Sequence, residues 1–250
     1  MTQIVAFTAF NRPHYMSQVL ESWSYVRDVS EAHFDFHVEP GCREMETVCS
    51  YAPRTGSSVH VNGSRLGVQR NPFAAINCAF DRYLRESAFE KQDDFVILAE
   101  DDFIVSTDIL EWFSWAQQEF YEDQRVLCVS ATQHEKQGDE AQSLFLPWFP
   151  GWVWGTWRDR WQNLIAPDWT FDYEHRGWDW RLTDYWCKEK GMVCVAPAVS
   201  RTQHIGEHGG VHTIPGQWFL DQQSRCFEPE IPPQQYRRPD GVSDIPNPRG

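Results

Sequence analysis

The stretch FVILAEDDFIVSTDILEWF, Phe95 to Phe113, runs from an apolar segment into three acids, Glu100, Asp101 and Asp102, and then back into apolar residues. Its first part reads as a strand buried on both faces, as in a parallel sheet. Adjacent carboxylates at a strand end repel one another unless a cation or donors compensate them. The segment that follows reads as a helix, with Ser106 or Thr107 as N-cap and Asp108 favoured by the N-terminal dipole. With capping so assigned, the acids have no structural task left. A hard divalent cation, held by one or two carboxylates and by substrate phosphates, suits them. The bland alternative is a solvated acidic turn.

The same alternation extends on both sides of this stretch. QIVAFTAF reads as a first strand bounded by NRP, and HYMSQVLESWSYV as a helix with Met16, Val19, Leu20 and Trp23 on one face. HFDFHVEPG and SSVHVNGS read as further strands. NPFAAINCAFDRYLRES reads as a helix with Pro72 near its first turn. RVLCVSAT returns to strand. Strands alternating with helices predict an α/β, Rossmann-like single domain with a mostly parallel central sheet flanked by helices. Ligands of such sheets sit at the C-terminal strand ends, where the three acids fall.

The second half is aromatic and turn-rich. A helix is expected from about Trp178 to Lys190, closed by Gly191, and MVCVAPAVS is a further strand. RTQHIGEHGGVH is a Gly- and His-rich loop. The Pro-rich end, residues 228–250, reads as an extended tail that can drape over the body.

Composition narrows the classes. The 250 residues suffice for one substantial core, and the formal net charge of −14 disfavours passive binding to a nucleic-acid backbone. The 13 Trp suggest flat surfaces for sugars or bases, or else a Trp-rich core. The 7 Cys show no regular spacing and read as reduced thiols. The N-terminus runs directly into IVAFTAF, with no basic segment, cleavage site or membrane-length apolar run. The expectation is a soluble cytoplasmic protein.

Other residues are candidates for chemistry. Arg12 in FNRP is placed to reach a diphosphate, or is a solvent-facing turn residue. Glu39 in HVEP can accept from a nucleobase N–H, or is an ordinary surface acid. Arg70 and Asn71 open a helix, a suitable anion or substrate contact. Asp179, between Trp178 and Trp180, is placed as a general base beside apolar rings, or as a helix cap. His204, His208 and His212 share one loop, and one of them can supply a metal ligand.

VAFTAFNRP, EDD after a central strand, GWVWGTW, WDW and SRTQHIG, in this order, resemble the GT-A glycosyltransferases. Within them the resemblance is to the N-acetylglucosaminyltransferase I group and its protein O-mannose relatives. It runs from about Ile4 to Phe227. It implies a GT-A domain over 1–227, with a nucleotide-sugar-binding half to about 130 and an acceptor and catalytic half from about 131. It implies a UDP-sugar donor, Mn²⁺ (or Mg²⁺) bridging the diphosphate, and an inverting hexosyl- or N-acetylhexosaminyltransferase. Asp102 is then the metal ligand, with His204 open as a second. Glu100 and Asp101 orient ribose or sugar, Arg12 meets the diphosphate and Glu39 the uracil. Asp179 is then the base, and the loop from Ser200 closes over the donor.

Trp148, Trp152, Trp154 and Trp178 are candidates for an acceptor platform, with the core as the alternative for Trp152 and Trp154. The sequence has GWDW where the family pattern has two adjacent acids, so Asp184 competes with Asp179. It also lacks an anchor, which suits a bacterial or phage member. The acceptor is then a glycan, a protein, a small molecule or a hydroxylated DNA base. A nucleotidyltransferase and a non-catalytic sugar-binding module are the rival classes. The first needs a glycine-rich loop that AFNRPHY lacks, and the second leaves Asp101 and Asp102 unexplained.

Overall fold

The computed structural model describes residues 3–52, 57–87, 94–171, 177–210 and 213–245. His212 and residues 246–250 of the expected tail lie outside the described residues. The chain first lays down β1 (Gln3–Ala9), α1 (Pro13–Ser24), β2 (Ala32–Val38), α2 (Arg43–Ser50), β3 (Ser58–Val61) and α3 (Gly67–Ser87). β4 (Phe95–Glu100), β5 (Phe103–Val105), α4 (Ile109–Phe120) and β6 (Val126–Ser130) follow. Then come β7 (Ser143–Leu146), β8 (Trp154–Trp157), α5 (Arg158–Arg160), α6 (Trp178–Arg181), β9 (Val193–Pro197), β10 (Thr202–His204) and α7 (Gln217–Gln222).

One eight-stranded sheet has the order β3-β2-β1-β4-β8-β6-β9-β7. The β3-β2-β1-β4 half is parallel throughout, and β6 runs parallel to β9. β8 enters antiparallel between β4 and β6, and β7 lies antiparallel on β9. The architecture is the α/β sheet predicted from strand and helix alternation. β5 leaves the main sheet and pairs antiparallel with β10, with Phe103 opposite His204.

Side chains on the central strands alternate between two cores. Val5, Phe7, Ile97 and Ala99 pack with α1 and α4, while Ile4, Ala6, Val96 and Leu98 pack with α3 and the Trp-rich half. Both faces are therefore apolar, which is why these strands read as continuous runs. Each buried Phe or Leu contributes roughly 1.5–3 kcal/mol.

Several local expectations are corrected. GWVWGTW, read as turn-rich, contains the buried strand β8, and the Gly/His loop begins with strand β10. Asp108, not Ser106 or Thr107, is the N-cap residue of α4, without a side-chain cap bond. Its carboxylate is fully buried and accepts from Ser106 Oγ at 2.6 Å, Tyr236 Oη at 2.8 Å and Arg201 Nε at 3.2 Å.

The helix holding Pro72 starts at Gly67, so the proline lies inside it. Proline has no N–H for the carbonyl four residues back. That carbonyl, Val68 O, accepts instead from Trp178 Nε1 at 3.1 Å.

The described part of the tail is fastened to the body. Thr107 N donates to Pro229 O at 2.9 Å, Arg27 Nη1 to Ile231 O at 2.7 Å, and Trp148 Nε1 to Ile245 O at 3.1 Å. Ile231 is buried beneath it.

Candidate active site

β1 and β4 are adjacent and parallel, with Thr8 opposite Glu100. Their C-terminal ends therefore deliver Arg12 and the acids to one place. Arg12 spans the acidic pair: Nη1 lies 2.6 Å from Asp102 Oδ2, and Nη2 donates to Asp101 Oδ1. Phe10 N donates to Asp101 Oδ2 at 3.2 Å. Asp101 and Asp102 are 3% and 4% exposed, so the Arg12 charge is what keeps two neighbouring carboxylates in the interior.

The electrostatics follow from this crowding. Burial, and then the charge of Asp102, push Asp101 up to about 6 against the pull of Arg12. Glu100 is only half-buried, and its shift is likewise upward, from loss of solvent and from Asp102 and Asp101. Asp102 moves down: burial opposes its charge, but the His204 hydrogen bond and Arg12 outweigh it. Burial lowers Arg12, yet Asp102 and Asp101 more than offset it, so the guanidinium stays charged.

β10 carries His204 to the same carboxylate, with Nε2 3.2 Å from Asp102 Oδ2. The imidazole is 6% exposed and stacks on Phe103, with centroids 4.7 Å apart and planes at 16°. Trp152 stacks behind it at 5.9 Å and adopts φ 61°, a left-handed backbone that costs a bulky residue energy. Ile205 N donates to Asp102 O at 2.9 Å. At Gly206 a Cβ would lie 2.2 Å from Asp102 Oδ2, so only glycine lets the loop approach this closely.

The donor set fits a divalent cation. Asp102 Oδ1 is buried and has no hydrogen-bond partner among the described residues. Ligands on neighbouring octahedral positions of a small hard cation lie about 3 Å apart, close to the Asp102–His204 separation.

Other predicted residues fall into distinct groups. Asp179 sits at the start of α6, and its charge acts on Glu100 across the site. Asp184 is instead half-exposed and paired with Lys188 at 2.9 Å.

Glu39 is turned inward, 3% exposed, and its oxygens accept from Leu66 N at 2.9 Å, Gly67 N at 2.5 Å and Asn62 Nδ2 at 3.3 Å. Its observed task is to hold the loop before α3, a correction to the nucleobase contact. Asn71 is likewise internal, donating to His37 O at 3.1 Å and accepting from Asn62 at 2.9 Å. Arg70 is exposed and lies over Phe171 at 4.8 Å.

The tryptophan platform is corrected as well. Trp148 and Trp154 are buried, so neither offers an open face. Trp178 stacks on Trp169 at 4.4 Å and 14°, and its N–H is committed to Val68 O. It is a strut that fixes the start of α6, and with it Asp179, against α3. Trp152 backs His204 rather than facing outward.

The model of the GNT-I family matches residues 75–225. The chain belongs to the GNT-I family. That match runs from within α3 through β4, Asp101, Asp102 and Asp179 to beyond His204.

Three solved structures resemble the chain, one of them with a TM-score above 0.5. TarS 1–349 of S. aureus superposes with TM-score 0.51 at 12% identity, covering 81% of this chain and 59% of that one. Mannosyltransferase PcManGT of Pyrobaculum calidifontis, in complex with GDP-Man and Mn²⁺, gives 0.49 at 12%, covering 80% and 57%. A cytidylyltransferase of Leptospira borgpetersenii gives 0.45 at 10%, covering 77% and 74%. The chain thus spans less than two thirds of the first two. At 12% identity the likeness to TarS is one of fold, an α/β GT-A arrangement. No helix among the described residues is long and apolar enough to cross a membrane.

Sequence reasoning missed four contributors. Gly206 admits the loop to Asp102. Tyr15 Oη accepts from His208 N at 3.2 Å and tethers that loop. Arg65 is an exposed cation over Phe10 at 4.3 Å. Gln69 is 7% exposed, lies against Gly177, and its Oε1 has no partner among the described residues. The pattern NRPHY placed Tyr15 one helical turn from Arg12, which was a usable signal. The others needed tertiary contacts.

Proposed function

We propose that this protein is a divalent-metal-dependent, inverting glycosyltransferase that moves a sugar from a UDP-sugar to an acceptor hydroxyl. Residues 1–227 form the catalytic domain, with the donor half ending near residue 130. The observation that carries this reading is the convergence on one point of Arg12, Asp101, Asp102 and His204, with Asp102 Oδ1 left unpartnered.

Asp102 and His204 would hold Mn²⁺ or Mg²⁺, which supplies charge to stabilise the leaving diphosphate. Arg12 is the residue that exchanges partners. In the free protein it neutralises Asp101 and Asp102, and a bound diphosphate is a competing anion for the same fork. Arg65 offers a second cation at the mouth. Asp101 and Glu100 are placed to accept from ribose and sugar hydroxyls. The loop 205–210 covers Arg12 and Asp102 and excludes water from the donor side.

Asp179 takes the proton of the acceptor hydroxyl. The acceptor oxygen then forms a bond to the anomeric carbon while the carbon–oxygen bond to the diphosphate breaks on the opposite face, so configuration inverts. Gln69 Oε1 borders this space and is available to a donor group of the acceptor or the sugar. The acceptor, whether glycan, protein, small molecule or hydroxylated base, enters beside α6.

The test is a thermal-shift and calorimetric screen of nucleotide sugars with and without Mn²⁺, followed by product analysis. One UDP-sugar should stabilise the protein only when the metal is present. Turnover should release UDP, and Asp179→Asn should keep donor binding and lose turnover. Release of pyrophosphate would instead identify a nucleotidyltransferase. Binding of sugars with no metal dependence and no UDP release would identify a binding module.

A further inference from the structure

A second cluster of ligating side chains lies on β2, β3 and α3, with His37 level with Thr8 and two strands across from Glu100. His37 on β2 and His60 on β3 are directly paired across the parallel strands. Cys78 projects from α3 onto them. One ligand atom from each residue, two imidazole nitrogens and one sulfur, fall within 4.8 Å of one another.

The surroundings make this cluster unusual. On the same strands a first polar layer is fully matched. Arg82 donates twice to Asp35, at 2.7 Å each, and once to Ser58 Oγ at 2.6 Å. The next layer is not matched. His37 is 5% exposed, and its Nε2 is buried without a hydrogen-bond partner among the described residues. His60 Nε2 is buried in the same condition, 3.6 Å from Asp35 Oδ1, beyond hydrogen-bonding range. The two rings lie nearly parallel, with centroids 5.0 Å apart. A buried ring nitrogen without a partner destabilises the fold, and here two lie beside one thiol.

The donor chemistry selects the occupant. Two imidazoles and a thiolate favour a borderline-soft cation such as Zn²⁺, whereas Mg²⁺ and Mn²⁺ favour oxygen. Tetrahedral Zn²⁺ with bonds of about 2.0 Å to nitrogen and 2.3 Å to sulfur places its ligands about 3.3–3.6 Å apart. The ligand atoms, within 4.8 Å of one another, stand wider than that, so binding requires the three side chains to close on the ion. Burial first, and the neighbouring His60 second, push His37 down to about 4, so its ring is neutral at physiological pH.

We propose that His37, His60 and Cys78 form a structural metal site that binds one Zn²⁺ through two ring nitrogens and one thiolate, with water in the fourth position. Cys78 releases its thiol proton on binding. The metal ties β2, β3 and α3 together. Its consequence reaches the donor side through the backbone, because His37 O holds Asn71, and Asn71 holds Asn62 beside Glu39. The site does not depend on the proposed activity.

The test uses the full chain, stripped of metal by a chelator and titrated with Co²⁺ as a spectroscopic probe. One equivalent should give a thiolate-to-cobalt charge-transfer band and tetrahedral d–d bands. Zn²⁺ should bleach them and raise the Tm. Cys78→Ser and His60→Asn should lose the charge-transfer band while keeping the metal-free circular dichroism and Tm of the parent. Asp102→Ala should retain it. Absence of the band in the parent protein overturns the proposal. So does a band that survives Cys78→Ser, or one that disappears in Asp102→Ala.

Discussion

Arg12 and Asp102 meet at 2.6 Å, through the carboxylate oxygen that also faces His204 Nε2 at 3.2 Å. The guanidinium thus stands where a bound cation and the donor's anionic group would compete. Charge balance at the acids is maintained in the free protein by a side chain that the proposed substrate displaces.

Removing that side chain should expose the balance. Arg12→Met leaves Asp101 and Asp102 buried without their cation, which costs about 3–5 kcal/mol when one partner of such a pair is lost. Urea unfolding in chelator should show this loss at neutral pH, and Mn²⁺ should recover much of it. Full stability of the variant in chelator would mean that Arg12 does not compensate the acids.

The same crowding sets a pH dependence. Asp101 rises from 3.8 in the unfolded chain to about 6 when folded. Between these values the folded state retains a proton that the unfolded chain has released, so stability falls as pH rises through that window. The loss is up to about 3 kcal/mol. Asp102 has the opposite sign, and its contribution disappears only at lower pH, as pH falls through its depressed value. Unfolding midpoints across the window should decline in chelator, and Asp101→Asn should lessen the slope, leaving the part that Glu100, shifted the same way, contributes. A midpoint that rises with pH here would contradict the assignment.

Gly206→Ala tests the close approach of the loop. The added methyl would meet Asp102 Oδ2, Cγ and Cβ, so turning the carboxylate is not enough and the loop backbone must move away from Asp102. Metal-dependent donor affinity should fall at least tenfold, about 1.4 kcal/mol, and the metal-free Tm should fall as well because the loop is forced off Asp102. Calorimetry with a UDP-sugar and Mn²⁺ measures the first, and unchanged affinity would remove the loop from the site.

Trp178→Phe keeps the stacking on Trp169 but leaves Val68 O without its donor. Val68 is exposed, so water can take up the carbonyl and the expected destabilisation is about 0.5–1.5 kcal/mol. Because α6 carries Asp179, kcat should drop more than donor affinity. Equal losses in both would argue that Trp178 acts on the donor instead.

Asp108→Asn breaks a different buried pair, the one with Arg201. A loss of about 3–5 kcal/mol is expected, with Mn²⁺-dependent donor affinity at low temperature preserved. A stability change below 1 kcal/mol would show that Tyr236 and the backbone suffice to hold Arg201.

Much of the fold was legible because the central strands are apolar on both faces and the helices between them carry a regular apolar stripe. β4 and its acids were readable from one stretch of sequence. β8 was not, because a four-residue strand has too few positions to show a period, and its Trp residues suggested a surface. The start of α3 was misread because Pro72 is a helix-start residue by default. Here the indole of a distant Trp178 satisfies the carbonyl that the proline abandons, and no local rule contains that contact.

The candidate site was legible by residue type and by position at strand ends. What the sequence could not supply was partnership. Glu39 and Asn71 carry the right groups at the right strand end, yet both are consumed in bracing the loop before α3. His204 gained its meaning from β10, whose pairing with β5 brings it opposite Phe103. The buried Trp148 and Trp154 show the limit of composition: a count of aromatic residues does not separate a platform from a core.

The antiparallel β8, set between β4 and β6, also fixes an order of assembly. During synthesis, the edge of β4 opposite β1 stays open until Trp154–Trp157 emerge. The parallel half can nucleate early, but it cannot close. A nascent chain stalled before that point would present a long, flat, apolar strand edge, the kind of surface that recruits chaperones or pairs with another copy.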